Sequence, residues 1–337
     1  MAASRQTLDP EVAAGLERFA AGGDGRPAPE RGDWRALRQL LTADMTRLAA
    51  AESASRPSVE AVDFEVASDD GEPVALRWYR PRGTQPGSAV VFVHGGGMIA
   101  GDIELYDGMA SGYVDRAGVP LLSVGYRLAP QASGTTPARD VFAAVRWLRG
   151  HGASLDVDLE RIAVMGESAG GGLAAAAAIA ARDEQIQLAA QILIYPMLDD
   201  RTGDGAGDGG GDGVDDDGDA GGRDPASLVP GAWGYDTNAT GWGALLGAAR
   251  GTAEVSPLAA PARLDDFRGL APAYIEVGDL DLFRDESLAY AARLAGAGVP
   301  LELHVHPGAP HGYERMAPAS ELARRVSADR DRVLRSI

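Results

Sequence analysis

One serine, Ser168, stands between an apolar run and an alanine-rich run in RIAVMGESAGGGLAAAAAIAAR (161–182), with Gly166 and Gly170 two residues to either side. A serine hydroxyl is a weak nucleophile near neutral pH. It becomes a useful one with a base to take its proton, an acid to hold that base, and donors for the oxyanion that forms. Gly-x-Ser-x-Gly is the pattern of a nucleophile elbow, a sharp strand-to-helix turn that lifts the serine above a sheet; Gly166, Glu167 and Gly170 complete it here. The flanks supply the context the pattern needs, since β-formers precede it and helix-formers follow. The helix that follows would point its partly positive N-terminus at an anionic intermediate.

Oxyanion donors must be backbone N–H groups outside the sheet, and HGGGM (94–98) follows directly on an apolar run. Gly95, Gly96 and Gly97 lose backbone entropy on folding but reach conformations that turn N–H groups into a pocket. Gly96, Gly97 and the N–H of Ala169 are the expected donors, with His94 bracing the turn. A phosphate loop fits less well, because no Lys or Thr completes one. Of the five histidines, His151 lies in the polar RGHGAS and is expected to be an exposed loop residue, while His304 and His306 alternate on a strand and share a face. His311, in PGAPHGY just past that strand, is the expected base. For the acid, YIEVGDLDLFRDE offers Asp279, Asp281 and Asp285. Asp285 suits the first turn of the next helix, which leaves Asp279 and Asp281.

Composition removes other chemistries. The 337 residues contain no Cys, and all 31 basic residues are Arg, so thiol nucleophiles, disulfides, Schiff bases and a Ser-Lys dyad are all absent. A formal charge of −18, with no basic stripe to offset it, argues against nucleic acid and anionic membrane as partners. No apolar run is long enough to span a bilayer, and the first residues lack the apolar core of a secretory signal; a soluble, cytoplasmic protein is expected. Residues 199–224 hold ten Asp against two Arg. The Gly/Asp-rich segment 199–225 is expected to be a disordered solvent loop, with weak calcium binding as the lesser reading.

Elements able to position these groups can be read from periodicity. Asp9-Pro10 opens one amphipathic helix, with Val12, Leu16 and Phe19 on a face; Asp33 caps a second, with Leu37, Leu41, Met45 and Leu48. VDFEV and PVALRWY flank an Asp-Asp-Gly turn as an antiparallel pair. AVVFVH, VPLLSVGY, RIAVMG, LAAQILIY, APAYIEVG and PLELHVHP then recur between helical stretches, the clearest of which is 137–149. Short apolar strands alternating with helices predict a mostly parallel sheet covered on both faces.

From about Val74 onward the chain resembles the hormone-sensitive-lipase-like family of α/β-hydrolase carboxylesterases. The likeness rests on VHGGG, YRLAP, GESAGGGLA, YPMLDD, DLFRDE and PGAPHG, in that order. It implies an α/β-hydrolase fold, with a mostly parallel central sheet flanked by helices and a helical cap. The cap would comprise residues 1–55 and an insertion at about 198–262, and the catalytic domain residues 56–337. The resemblance maps the acid to Asp281, the base to His311 and the nucleophile to Ser168. It implies hydrolysis of short- to medium-chain esters through an acyl-enzyme, with a small-molecule ester as partner and no cofactor or metal. Gly125 and Gln131 stand where relatives carry acidic residues around YRLAP. Acyl transfer, elimination or cyclisation on the same triad, and a non-catalytic binding protein are the alternatives; homodimerisation is left open.

Overall fold

The computed structural model describes residues 7–23, 25, 27–83, 87–203 and 233–337. Helix α1 (Pro10–Ala21) begins where Asp9 Oδ1 accepts from the N–H groups of Glu11 and Val12 at 2.9 and 3.0 Å, satisfying donors a helix start leaves open. Asp33 does the same for α2 (Trp34–Glu52) by accepting from Ala36 N–H at 3.0 Å. Val12 and Leu16 pack with Ala309, Tyr313, Leu322 and Val326 in a small satellite core, whereas Leu37 and Met45 of α2 join the main core. Phe19, Leu41 and Leu48 are only half-buried, so each predicted stripe is only partly sunk into a core.

Eight strands form one sheet in the order β1-β2-β4-β3-β5-β6-β7-β8. The predicted hairpin is present: β1 (Val59–Ala67) runs antiparallel to β2 (Pro73–Pro81), joined through the turn after Ser68. β2 is also antiparallel to β4 (Leu121–Gly125). The remaining pairings are all parallel and involve β3 (Ala89–Val93), β4, β5 (Ile162–Glu167), β6 (Ala190–Ile194), β7 (Ala273–Gly278) and β8 (Leu301–His306). Every residue of β3 and β5 is buried, as expected of strands covered on both faces. The other helices are α3 (Asp107–Ala117), α4 (Thr136–His151), α5 (Ala169–Asp183), α6 (Tyr235–Leu246), α7 (Arg284–Gly296), the short α8 (Tyr313–Met316) and α9 (Glu321–Arg335).

Register brings the strand ends into line. Glu167 pairs with Ile194 across β5 and β6, and Gly278 with His306 across β7 and β8. Ser168, Tyr195, Asp281 and His311 all follow these ends, at the carboxyl edge where open α/β sheets place their sites. Above this edge α2 packs on α6.

Of the Gly/Asp-rich segment, residues 204–225 lie outside the described residues. Its first residues are packed: the Asp200 carboxylate is buried, accepts from Arg263 at 2.8 and 3.0 Å, and also takes the N–H of Gly251 at 2.6 Å.

Candidate active site

At the end of β5 the chain turns so sharply that Ser168 adopts φ 56°, ψ −123°, a conformation L-residues rarely hold. Such strain costs about 1–3 kcal/mol and persists only where the surroundings impose it. Here Ser168 N–H donates to Ile194 O at 2.9 Å, and its carbonyl accepts from Met197 and Gly172 at 2.9 and 3.1 Å. The flanking glycines are a steric necessity. A Cβ on Gly166 would lie 2.1 Å from Gly170 O, and one on Gly170 would lie 2.1 Å from Val93 O.

His311 Nε2 is 2.9 Å from Ser168 Oγ, and its Nδ1 is 2.8 Å from Asp281 Oδ2. The second oxygen of Asp281 accepts from Phe283 N–H at 2.9 Å, which fixes a carboxylate whose side chain is fully buried. A proton on Nδ1, facing Asp281, leaves the Nε2 lone pair for the serine hydroxyl. Burial alone would lower the His311 pKa. The Asp281 charge and hydrogen bond, with the Glu314 and Glu167 charges behind, outweigh it and hold the imidazole above its ordinary value. Tyr195, at 4.7 Å, and Phe283, at 5.1 Å, pack against the imidazole in T-shaped arrangements.

Asp279, the rival acid, is elsewhere: its Oδ1 accepts from Gly308 N–H at 2.7 Å and pins the loop after β8. Asp285 sits in the first turn of α7, as expected, paired with Arg284. His304 and His306 stack on β8 with centroids 5.9 Å apart. His151 is exposed but ends α4 rather than lying in a loop, because its Nδ1 reaches Trp147 O at 2.8 Å and extends the helix.

The HGGGM loop curls over the serine. Gly96 takes φ 116° and Gly97 φ 60°, and among the described residues neither N–H makes a hydrogen bond. A Cβ on Gly96 would meet Ala100 O at 2.2 Å. His94, fully buried, stacks on Tyr126 at 4.3 Å and places Nδ1 2.8 Å from Gly95 O; burial pushes its pKa down to about 4, so it braces the loop as a neutral ring. Ala169 is the first residue of α5, where N–H groups have no partner inside the helix. Together these groups form a serine–imidazole–carboxylate relay beside a cluster of free backbone donors.

Comparison with known proteins agrees with this geometry. A family model described as alpha/beta hydrolase fold matches residues 90–315. Ethyl acetate hydrolase of Pseudomonas putida is 31% identical over 337 residues, covering 94% of this chain and 95% of its own. The chain belongs to the hormone-sensitive-lipase-like family of α/β-hydrolase carboxylic ester hydrolases. Esterase LipI of Mycobacterium tuberculosis is 33% identical over 262 residues, 76% of each chain. Among solved structures, a bacterial heroin esterase superposes with a TM-score of 0.83 at 31% identity, covering 98% of both chains. A hyperthermophilic esterase from Pyrobaculum calidifontis gives 0.80 at 28%, again over 98% of both.

Several side chains of this esterase that surround the relay escaped the sequence reading. Tyr195 places its hydroxyl 2.6 Å from Glu314 Oε1, with the ring against His311. Trp233 lies over Gly97, so that a Cβ there would sit 2.3 Å from the indole, and Met45 of α2 similarly lies 3.0 Å from a Cβ on Gly96. Arg38 of α2 donates to Ile99 O and Ala129 O at 2.6 Å and to Gln131 Oε1 at 2.9 Å, tying the helix to both loops. Tyr195 was visible as the start of YPMLDD after β6 and Met45 as part of the α2 stripe, but nothing assigned either to the site, and nothing local marks Trp233 or Arg38. Among the described residues no helix is long and apolar enough to cross a membrane.

Proposed function

We propose that this esterase hydrolyses short- to medium-chain carboxylic esters through an acyl-enzyme on Ser168. Ser168 Oγ attacks the ester carbonyl as His311 Nε2 takes its proton, and Asp281 steadies the imidazolium that results. The carbonyl oxygen, now negative, is received by the N–H groups of Gly96, Gly97 and Ala169. Collapse expels the alcohol, which leaves with the proton held by His311. Water then repeats the sequence on the acyl group, releasing the carboxylic acid and restoring Ser168. Every proton moved is returned within the cycle, so the chemistry calls for no metal or cofactor. The observation that carries this reading is the unbroken relay at 2.9 and 2.8 Å.

The chain-length preference rests on the ceiling above the donors. We take α1, α2 and the segment after β6 that includes α6 as a cap, in which Met45 and Trp233 close over Gly96 and Gly97 and leave little room for a long acyl chain. Similarity to a protein named for ethyl acetate points the same way.

The test is turnover of p-nitrophenyl acetate, butyrate, octanoate and palmitate, with Ser168→Ala alongside. Rates should peak at the short esters and fall by about 10⁶ in the variant. Hydrolysis that survives in Ser168→Ala would overturn the acyl-enzyme; a peak at palmitate would overturn the chain-length preference.

A further inference from the structure

A second set of buried charges lies behind the relay. Arg315, in α8 and four residues past His311, has a side chain only 6% exposed. Its Nε and Nη2 donate to the two carboxylate oxygens of Glu52, the last residue of α2, at 2.9 and 3.1 Å. The third nitrogen, Nη1, stands 3.6 Å from Glu167 Oε1 at the elbow. The guanidinium also lies 4.4 Å over the ring of Tyr106, whose hydroxyl donates to that same Glu167 oxygen at 2.8 Å. Glu52 is seated closely, since a Cβ on Gly108 of α3 would lie 2.9 Å from its own Cβ.

Glu167 precedes Ser168 directly, and its other oxygen is 3.4 Å from the Tyr195 hydroxyl. Tyr195 in turn packs its ring against His311 in a T-shaped contact. An unbroken line of contacts therefore runs from the end of α2 to the imidazole. A simple fastener for α2 would need only the two bonds to Glu52. The third nitrogen faces a carboxylate that burial drives toward its neutral form, with the Arg315 charge opposing that drift. An uncompensated carboxylate at that depth would reorganise its neighbours.

We propose that Arg315 is a positioning residue which transmits the seating of α2 to the elbow, holding Glu167, and through it Tyr195, in place against His311. The proposal rests on the acyl-enzyme reading of Ser168 and on α2 as part of the cap. Two effects then separate: the Glu52 contact governs how the covered pocket binds ester, and the Glu167 contact governs how the relay turns it over.

The test measures kcat and KM on p-nitrophenyl butyrate for Glu52→Gln, Arg315→Lys, Arg315→Met and the double variant Glu52→Gln/Arg315→Met. Glu52→Gln should raise KM about fivefold with kcat within about twofold, because Arg315 still faces Glu167. Arg315→Met should raise KM equally and lower kcat by about tenfold or more, and the double variant should be no worse than Arg315→Met, since both act on one contact. Arg315→Lys should recover kcat to within about threefold but not KM, because an ammonium supplies the charge without the two-pronged grip. Variants that lose thermal stability while kcat and KM stay at parental values would reduce Arg315 to a fastener and overturn the proposal. Labelling by a fluorophosphonate separates the two readings. Failure to label Ser168 in the parent overturns the acyl-enzyme and this proposal with it; labelling with unchanged kinetics overturns only the role of Arg315.

Discussion

Two clusters of opposite charge meet at the carboxyl edge of the sheet, one around His311 and one around Arg330. Around Arg330, Nε donates to Glu276 at 2.8 Å, Nη2 lies 2.8 Å from Glu314, and Nη1 donates to the Tyr113 hydroxyl at 3.2 Å, with the arginine and both carboxylates all buried. Around His311, a buried carboxylate likewise faces a group that can carry positive charge, here an imidazole 2.8 Å away. The geometries are similar but the protons are not. A guanidinium keeps its proton at any working pH, whereas an imidazole gives one up near neutrality. The Arg330 cluster keeps its proton and braces the fold, its Glu314 adding a charge that the imidazole feels; the His311 cluster can pass a proton to whatever occupies the space beside Ser168.

That contrast breaks first at the acid. Asp281→Asn should lower kcat by about 10³–10⁴, because the amide no longer fixes the tautomer or supports the imidazolium. Asp279→Asn should stay within about tenfold of the parent, because its carboxylate holds Gly308 N–H rather than His311. The reverse ranking of these two variants would exchange their roles. At the Arg330 cluster the main loss should appear in stability. Arg330→Met strands Glu276 and Glu314 without their cation, and chemical denaturation should show it destabilised by about 3–5 kcal/mol. An unchanged denaturation midpoint would contradict the assigned role of the cluster.

The mildest effect is in the pH profile. His311 must be unprotonated to accept from Ser168, and its pKa is held above the ordinary 6.5 by Asp281, Glu314 and Glu167 against the pull of burial. The low-pH limb of kcat/KM should therefore fall away as pH drops through a value above 6.5. Glu314→Gln, which removes one of those charges, should move the limb to lower pH. A limb that stays put would mean that Glu314 does not set the basicity.

The two clusters also differ in how far the sequence reveals them. Ser168, His311 and the glycine loop were legible because each requires a local backbone shape, and local shape leaves a local pattern: Gly at 166 and 170, three glycines after a strand, a histidine just past another. Asp281 was half legible. Two aspartates end the same strand, and spacing cannot say which one the turn swings toward His311; resemblance chose between them, and the structure brings Asp281 within 2.8 Å. Glu52, Glu167 and Arg315 lie on three elements that meet only after folding, and arginine beside glutamate is ordinary surface composition. Trp233 follows the acidic insertion with no periodic pattern around it. The central strands were legible almost to the residue, because burial on both faces demands unbroken apolar runs; the edge strand β1 extended three residues earlier, to Val59.

The relay spans the ends of β5, β7 and β8, with β6 between them. Its two hydrogen bonds close only if four neighbouring strands are in register and their crossovers are complete, and a slip of one residue along any of them would turn the following side chain to the opposite face. Turnover is thus an internal gauge of assembly. A chain that hydrolyses ester has already built that half of its sheet, and a partly folded chain is silent.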